Sequence, residues 1–341
     1  MKTDKILLDH GSGGLATKNL IEDVFMKRLS NPFLSPMEDS AVLDLPPGKL
    51  AFTTDSFVID PIFFPGGDIG SLAVHGTVND LSMQGARPVF LSLGLILEEG
   101  LEIKKLEKIA QSVADAAKEA GVTIATADTK VVEKGQADKI FINTSGIGII
   151  ENKFDRIGID RARPGDAIIV SGYIGDHGAS ILLARSGLPF EAEIQSDSAP
   201  LNTLVEDMLR AVPSGALRLL RDPTRGGVAT VLNEIAQASD VDLKIEEDQI
   251  PIRKEVQGVC ELLGLDPLYL ANEGKCIVVV DKDHADDLLN VMKQHGLGRD
   301  AAIIGHVEKK RAQQPKVVLQ TTIGGLRIVP ILTGEPLPRI C

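Results

Sequence analysis

The chain has 341 residues, with 36 Lys and Arg against 48 Asp and Glu, so its formal net charge is −12 at pH 7. This balance lacks the basic field that nucleic-acid phosphates or anionic lipids require, which excludes a general nucleic-acid or membrane-surface binder. Hydrophobic residues make up 43% of the chain and aromatic residues 4%, which predicts a folded protein with an aliphatic core. The length predicts two domains.

The cysteines and the first residues of the chain indicate the compartment. Cys260, Cys276 and Cys341 are too few for a disulfide framework and lack the spacing of a zinc site. The start of the chain contains only a short apolar run at Ile6–Leu8. No apolar run reaches the length of about 18 residues that a membrane span requires. We therefore expect a soluble cytoplasmic protein.

The first half of the chain predicts alternating helices and strands. Apolar residues at helical spacing from Leu15 to Leu29 follow a glycine-rich loop, and Glu102–Ala120 has the clearest amphipathic pattern. The other predicted elements are, in chain order, strands Ser40–Leu45 and Leu50–Val58, helix Asp68–Gln84, and strands Val89–Leu97, Val122–Thr126 and Lys139–Ile150.

The second half continues the alternation. Its predicted elements are strand Ala167–Ser171, helices Gly175–Ser186, Leu201–Val212 and Gly226–Ser239, strands Asp242–Ile245 and Cys276–Val280, helix His284–Gln294, and strands Ala301–His306 and Lys316–Leu319. We expect the last two strands to pair with each other. Together the two halves predict an α/β or α+β protein with domains at 1–151 and 152–329.

The end of the chain, 330–341, is predicted to be an extended tail because it is rich in proline. It finishes in Pro338-Arg339-Ile340-Cys341, with a thiol on the final residue. Terminal residues are commonly frayed, and a free cysteine is often a small buried hydrophobe. A stiff tail with a terminal cysteine could instead present a reactive sulfur to a site elsewhere. The residues alone leave both interpretations open.

Four aspartates, Asp39, Asp55, Asp80 and Asp128, each lie at the edge of a predicted element. Carboxylates brought together from several strand ends repel one another unless a cation lies among them. Mg²⁺ prefers oxygen ligands and shares them with nucleotide phosphates. Lys130 follows the last of these aspartates and supports a metal–phosphate site. The alternative is that each aspartate is a turn or cap residue.

The loop that contains Gly11, Gly13 and Gly14 fits the G-x-G-x-x-A pattern of dinucleotide-binding folds. That fold requires a second parallel strand about 20 residues later. The chain has Pro32 and Pro36 in that region, and prolines are incompatible with a central strand. We therefore reject the dinucleotide-binding fold and retain a loop that donates backbone N–H groups to phosphates.

Two glycine-containing turns, Ser171–Gly178 and Arg221–Gly227, enter predicted helices in the second half and could place N–H donors near an anion. The segment Ala271–Lys275 precedes a buried strand and carries Glu273, which could equally be a solvated carboxylate. Three histidines lack the spacing of metal ligands and are interpreted as structural or as neighbours of the site: His10, His75 and His177.

Taken together, several segments resemble the AIR synthetase-like superfamily, and in particular its hydrogenase maturation branch. The resemblance covers His10 to Cys341, and its most specific element is the terminal Pro-Arg-Ile-Cys. The segments that carry the resemblance are Thr53-Thr54-Asp55-Ser56, Phe64-Pro65-Gly66-Gly67-Asp68-Ile69-Gly70, Gly76-Thr77-Val78-Asn79-Asp80-Leu81 and Arg221-Asp222-Pro223-Thr224-Arg225-Gly226-Gly227.

The resemblance implies a two-domain AIR synthetase-like architecture whose N-terminal domain forms a dimeric β-barrel beside a C-terminal α/β domain. It implies ATP-dependent dehydration of an S-carbamoyl group on Cys341 to an S-cyano group, destined for the iron of a [NiFe]-hydrogenase. It implies ATP and Mg²⁺ as cofactors, and as partners a second copy of the chain, the carbamoyltransferase HypF and a HypC–HypD scaffold complex. The alternatives are a small-molecule kinase of the same fold and a non-catalytic thiol carrier.

The same resemblance implies roles for individual residues. The catalytic residues are Cys341, which is also the modified residue, Glu273 and Lys130, with the last two sharing the role of base. The ATP-binding residues are Gly11, Gly13, Gly14, Asp55, Asn79, Asp80 and Asp128. The metal ligands are Asp39, Asp55, Asp80 and Asp128.

Overall fold

The structure is a computed structural model that describes residues 3–38, 40–186, 194–334 and 338–341. Within these ranges the strands form a four-stranded sheet in the first half, a seven-stranded sheet in the second half and a short two-stranded ribbon. Each large sheet has its own core of aliphatic side chains. The fold is therefore α/β with two halves, as the alternation of elements predicts.

The four-stranded sheet has the order β1-β6-β4-β5, with β4 and β5 parallel and the other neighbours antiparallel. A helical stretch with a central π-helical turn (Ile21–Met26) precedes it. The elements of this half are α1 (Leu15–Leu20), α2 (Lys27–Leu29), β1 (Lys49–Phe57), β2 (Phe63–Phe64), β3 (Gly67–Asp68), α3 (Ile69–Met83), β4 (Arg87–Glu98), α4 (Ile103–Ala120), β5 (Thr123–Val132) and β6 (Ile140–Ile150).

One face of this sheet packs against α3 and α4, and the opposite face is open in the single chain. Helix α3 begins at a strong cap, because the Asp68 side chain accepts hydrogen bonds from the Gly70 and Ser71 N–H groups at 2.8 and 3.1 Å. The open face, here called the outer face, exposes Leu50, Phe52 and Ile96, and Phe52 is 72% exposed.

The seven-stranded sheet has the order β13-β12-β9-β11-β7-β10-β8. Its elements are β7 (Ala167–Val170), α5 (Asp176–Ser186), α6 (Asn202–Ala211), β8 (Leu217–Arg221), α7 (Gly227–Ser239), β9 (Asp242–Glu246), α8 (Lys254–Leu263), β10 (Ile277–Val280), α9 (Ala285–Gln294), β11 (Ala302–Glu308), β12 (Val317–Gln320) and β13 (Leu326–Val329). Every residue of β7 and β10 is buried, so both faces of the sheet centre are covered.

Two strand predictions are wrong. Ser40–Leu45 forms no strand, because no described strand of the chain pairs with it, and Val42 is 87% exposed. The strands predicted at Ala301–His306 and Lys316–Leu319 form as β11 and β12 but do not pair, because β9 lies between them. Strand β12 pairs with β9 on one side and forms a hairpin with β13 on the other. Among the elements that were not predicted from the sequence are β8, α8 and β13.

The described parts of the proline-rich tail are non-helical, and its end lies against the first half of the molecule. The Val58 N–H donates to the Cys341 carbonyl oxygen at 3.0 Å, and the Asp60 N–H donates to the Arg339 carbonyl oxygen at 3.3 Å. The Arg339 side chain donates to the Val58 carbonyl at 2.8 Å and to Asp138 at 2.7 Å. No helix in the described part of the chain is long and apolar enough to cross a membrane.

Candidate functional site

A cluster of buried and partly buried carboxylates lies where the two halves meet. Alternation along β1 turns Thr53 and Asp55 toward α3, where the Thr53 hydroxyl donates to Asp80 at 2.8 Å. Asp222 comes from the other half of the chain, directly after β8, and Glu273 precedes β10. Four elements distant in sequence therefore deliver acidic side chains to one region.

Burial raises the pKa values throughout this cluster, and repulsion between carboxylates adds to it for Asp55, Asp222 and Glu273. Burial and then the Asp80 charge raise the pKa of Asp55 to about 6 and that of Asp222 to about 6. Burial also raises the pKa of Asp80, although the Thr53 hydrogen bond, Arg221 and Arg225 oppose that shift. A bound cation would stabilise several carboxylates that repel one another in this way.

Glu273 has the most perturbed carboxyl of the cluster. Burial raises its pKa well above the usual value of 4.5, and the charges of Asp197 and Asp222 raise it further. Its backbone is fixed, because its N–H donates to Asp197 Oδ1 at 3.1 Å and its carbonyl accepts from Asn79 at 3.1 Å. Its Oε1 has no hydrogen-bond partner among the described residues. The backbone of Glu273 is thus fixed, and one oxygen of its buried carboxyl lacks a partner among the described residues.

Asn79, an expected nucleotide ligand, lies behind the carboxylates and ties the two halves of the chain together. Its amide nitrogen donates to the Ala199 and Glu273 carbonyls, each at 3.1 Å, and its oxygen accepts from the Leu201 N–H at 2.8 Å. The residue is buried. The geometry gives Asn79 the task of positioning Glu273.

Two cavities flank the cluster, and strand β1 contributes to both. One cavity, of about 500 Å³, is lined by Thr53, Asp80 and Asp222. The other, of about 340 Å³, is lined by Ser56 and by Cys341 at the end of the tail. Asp55 lies between Thr53 and Ser56 in the strand, so the carboxylates and the terminal thiol occupy neighbouring spaces.

Cys341 differs from the other two cysteines in its environment. Burial raises the pKa of Cys260 to about 11 and that of Cys276 to about 12, which keeps both thiols protonated and inert. Cys341 is partly exposed within the second cavity. Ala271 lines the same cavity and lies two residues before Glu273. The tail therefore brings its thiol to the loop that carries the buried glutamate.

The remaining expected residues lie elsewhere, on and beside β5. Asp128 and Lys130 pair at 3.6 Å with both side chains about 70% exposed. The glycine-rich loop packs on the same strand, since a Cβ on Gly11 would lie 2.8 Å from Val131 Cβ. Gly13 adopts a positive φ of 80°, and Gly14 precedes α1 as its N-cap.

The structure thus divides the residues of the site, with Asp222 added to the expected ones, into two sets. The inner set is Asp55, Asp80, Asp222, Glu273 and Cys341, and the outer set is Gly11, Gly13, Gly14, Asp128 and Lys130. Two strands separate β1 from β5 in the sheet, a distance of roughly 14 Å. Asp128 and Lys130 also lie on the outer face, whereas Asp55 faces α3. Asp39 lies outside the described residues.

The inner set suits Mg²⁺ by its chemistry rather than by a complete ligand cage. Among the described residues no group of three acidic, His or Cys side chains is close enough to hold a metal ion by itself. Mg²⁺ commonly takes one or two protein carboxylates and completes its shell with phosphate oxygens and water. The raised pKa values of Asp55 and Asp80 fit that partial donation.

Three residues of the site escaped the sequence analysis or were given another role there. Asp222 was inside a quoted motif but was not assigned a role. Asp197, which holds the Glu273 loop, belongs to an irregular segment whose sequence carries no pattern. His177, interpreted as structural or as a neighbour of the site, contacts the tail directly, with Nε2 at 2.8 Å from the Ile340 carbonyl oxygen.

Two protein-family models match the sequence of this chain. The family model described as "AIR synthase related protein, N-terminal domain" matches residues 37–150, and the family model described as "AIR synthase related protein, C-terminal domain" matches residues 163–318. Together they cover most of the chain, including the whole four-stranded sheet and strands β7 to β11 of the seven-stranded sheet.

Individual relatives are similar over the whole length. The chain is 51% identical to the carbamoyl dehydratase HypE of Azotobacter vinelandii, over 100% of this chain and 98% of that protein. A crystal structure of the hydrogenase maturation protein HypE in complex with ATP matches with a TM-score of 0.94 and 52% identity, covering 98% of this chain and 99% of that one. A chain of a HypE–HypF complex matches with a TM-score of 0.80 and 50% identity, covering 92% and 99%.

Proposed function

Because the chain belongs to the HypE family of carbamoyl dehydratases, within the AIR synthase related proteins, we propose that it uses ATP to dehydrate an S-carbamoyl group carried on Cys341. The product is an S-cyano group, which supplies the cyanide ligand for the iron of a [NiFe]-hydrogenase. The observation that carries the assignment to Cys341 is the docked tail, whose terminal residue shares a cavity with Ala271, two residues before Glu273.

The dehydration requires a better leaving group than the carbamoyl oxygen. Transfer of the γ-phosphoryl group of ATP to that oxygen converts it into a phosphate ester. One N–H proton leaves as the C=N bond forms, and the second leaves when phosphate departs and the nitrile is complete. The balance is one carbamoyl group and one ATP consumed, and one thiocyanate, one ADP, one hydrogen phosphate and one proton formed, since one of the two N–H protons ends on the phosphate and the other is released.

Glu273 is the acceptor for these protons. A buried carboxyl whose pKa is raised well above its usual value is a stronger base than an exposed one, which suits it to accept a proton. Asn79 and Asp197 hold its backbone from both sides, so the carboxyl is positioned before the tail arrives. Its Oε1, which has no partner among the described residues, is the atom that would accept a proton from the carbamoyl nitrogen.

Mg²⁺ accompanies ATP at the inner set. Asp55 and Asp80 hold the ion, because their shared repulsion is relieved by a cation and they line or adjoin the cavity of about 500 Å³. The ion supplies neutralisation of the phosphate charge during phosphoryl transfer. Arg221, which also lines this cavity, adds a fixed positive charge beside the phosphates.

The two sets of site residues join when two copies of the chain associate. The outer face carries exposed apolar side chains, including Leu50 and Phe52, as well as Asp128 and Lys130 of the outer set. Face-to-face packing of two such sheets about a two-fold axis would form a closed barrel. In that dimer the outer set of one copy, with its glycine-rich loop, completes the ATP site at the inner set of its partner.

The tail must leave its cavity to exchange groups with other proteins. HypF donates the carbamoyl group, in keeping with the solved HypE–HypF complex that this chain resembles, and a HypC–HypD complex accepts the cyanide. The prolines of the tail limit the entropy lost on docking, and the covalent tether raises the effective concentration of the substrate group.

Replacement of the thiol tests this function. Cys341→Ala should fold normally, because the side chain is small and partly exposed, and should give no cyanated product. The wild-type chain and the variant are incubated with HypF, its carbamoyl donor and ATP and followed by intact-protein mass spectrometry. The wild-type chain should show the carbamoyl adduct and then the loss of one water. ATP consumption should require the carbamoylated thiol. ATP turnover indifferent to the tail would indicate a kinase, and loss of water without ATP would contradict the mechanism.

A further inference from the structure

His177 joins the end of the tail to the segment that holds Glu273. It lies at the start of α5 and is buried, with Nε2 at 2.8 Å from the carbonyl oxygen of Ile340, the residue that precedes the reactive cysteine. Its Nδ1 lies 2.8 Å from Ser196 Oγ. The ring of Phe64 packs edge-on against the imidazole, with centroids 5.6 Å apart. The ring is therefore held on three sides.

The surrounding hydrogen bonds assign one tautomer to this ring. A carbonyl oxygen accepts but cannot donate, so Nε2 carries the hydrogen that binds Ile340. Burial lowers the pKa of His177 and keeps the ring neutral, which leaves Nδ1 as an acceptor for the Ser196 hydroxyl. Ser196 Oγ in turn accepts from the Ser198 N–H at 3.1 Å. Every donor in this chain of bonds faces an acceptor.

The neighbour of Ser196 contacts the catalytic loop. Asp197 accepts from the N–H groups of Glu273 and Gly274 at 3.1 and 3.3 Å and pairs with Lys275 at 3.3 Å. A Cβ on Gly274 would lie 1.8 Å from the Asp197 carbonyl oxygen, so the loop and the segment are in direct backbone contact. Two adjacent residues, Ser196 and Asp197, thus connect His177 to the loop that carries the base.

Other contacts of the tail lie nearer the surface. Arg185 donates to the Pro338 carbonyl at 2.7 Å and to the Arg339 carbonyl, and Arg339 pairs with the half-exposed Asp138. These bonds retain the tail as a whole. Two bonds reach its end: the Val58 N–H donates to the Cys341 carbonyl oxygen at 3.0 Å, and His177 binds the peptide group that precedes Cys341.

We propose that His177 is a positioning residue for the dehydration, which places the carbamoylated end of the tail against Glu273 through its Nε2–H bond to Ile340 and its Nδ1 bond to Ser196. The proposal rests on the function proposed above. A displacement of about 1 Å of a reacting group can lower a rate by roughly 100-fold. The loss of this one bond is therefore expected to slow the chemical step without releasing the tail from Arg185.

A matched pair of variants tests the proposal. The amide nitrogen of Gln at this position can occupy the place of Nε2, whereas that of Asn reaches only the place of Nδ1. In single-turnover dehydration of carbamoylated protein at saturating ATP, His177→Asn should be slowed about 10- to 100-fold and His177→Gln only a few-fold. Carbamoyl transfer from HypF should keep its rate in both variants, because the tail must be undocked for that step. Equal rates in His177→Asn and the unmodified chain, or no rescue by His177→Gln, would overturn the proposal.

A second measurement does not depend on the chemistry. Alkylation of Cys341 by iodoacetamide, followed by peptide mass spectrometry, should be several-fold faster in His177→Asn than in the unmodified chain or in His177→Gln. If His177→Asn fails to fold, Ser196→Ala, which removes the hydroxyl from Nδ1, should give the same direction in both measurements. If the wild-type chain does not dehydrate the carbamoyl group on Cys341, the proposed function is wrong. If the alkylation rate is the same in His177→Asn and the wild-type chain, only the role of His177 is wrong.

Discussion

The two large sheets of this chain differ in how completely the chain itself covers them. In the seven-stranded sheet every residue of β7 and β10 is buried, so helices and the rest of the chain shield both faces at its centre. In the four-stranded sheet α3 and α4 cover one face, and the outer face exposes Phe52 together with Asp128 and Lys130. The seven-stranded sheet is thus covered on both faces within one copy, whereas the four-stranded sheet has an open face suited to a partner copy.

The same difference separates the two sets of site residues. The inner set lies between the halves, where burial and mutual repulsion raise the pKa values of its carboxyls. The outer set is solvent-exposed and distant from it in one chain. Folding of one chain therefore builds the inner set, and the proposed association of two copies would bring the outer set of one copy to it.

The largest expected effect concerns the inner set. Glu273→Gln keeps the shape of the side chain and removes the acceptor carboxylate. Dehydration of carbamoylated protein should fall roughly 10²- to 10⁴-fold, the usual contribution of a positioned base, while ATP binding is retained. Single-turnover mass spectrometry and nucleotide titration measure the two quantities. A variant that dehydrates at the normal rate would move the role of base to Lys130 or to the phosphate.

Mixed dimers test whether the outer set acts across the two-fold axis. Asp80→Asn disables the inner set and Lys130→Ala the outer set, so each homodimer should be inactive. If each site combines the inner set of one copy with the outer set of the other, a mixed dimer keeps one intact site. An equal mixture after subunit exchange should then recover about one quarter of the normal activity, since half of its dimers are mixed. Sites contained within one chain would give no recovery.

A charge on the outer face tests directly whether two copies associate through it. Phe52→Glu places a charge on the exposed face of β1 and should raise the dimer dissociation constant by roughly 30-fold or more, the effect of losing a buried aromatic at an interface. The fold of each chain should persist, because Phe52 is exposed in the single chain. Ile323→Glu is the matched control, since Ile323 is 94% exposed and lies outside the four-stranded sheet. Sedimentation of both variants should show dissociation in Phe52→Glu alone.

The smallest expected effect is a gain in stability. Because the folded-state pKa of Asp55, about 6, lies above its ordinary value of 3.8, this carboxyl stabilises the fold at low pH, and that stability is lost as pH rises through 6. Asp55→Asn should therefore raise the free energy of unfolding at pH 7 by about 1–2 kcal/mol, after discounting for its partial exposure. The gain should vanish near pH 4.

Thermal or urea unfolding at the two pH values measures this gain, and Asp128→Asn serves as its control. Asp128 is exposed on β5 and pairs only weakly with Lys130, so its replacement should change stability by less than about 0.5 kcal/mol at either pH. Asp55→Asn should also weaken binding of Mg²⁺–ATP. Equal behaviour of the two variants would show that Asp55 does not belong to a repelling cluster.

Local pattern was enough to predict most elements and the chemistry of several segments. Amphipathic spacing predicts α4, and alternation with β-branched residues predicts β1, β4 and β6, because these signals arise within a few neighbouring residues. The proline-rich tail and its terminal thiol are likewise visible as sequence. These features depend on the chain's own composition and period.

Pairing between distant segments required the tertiary structure. The insertion of β9 between β11 and β12 and the failure of Ser40–Leu45 to form a strand depend on which partner is available, and a strand's own residues do not specify its neighbour. The separation of Lys130 from Asp55 follows from the order of strands in the sheet. The contact of His177 with Ile340 joins residues 163 positions apart.

The residue types of the site and most of the elements that carry them were therefore predictable from local pattern, since propensity and periodicity are local properties. The tertiary structure alone decided which of these residues meet. Asp197 and His177 became recognisable only when an irregular segment folded against the Glu273 loop and the tail. The pKa shifts of Asp55, Asp222 and Glu273 also arose there, because burial and repulsion depend on neighbours that folding brings from distant parts of the chain.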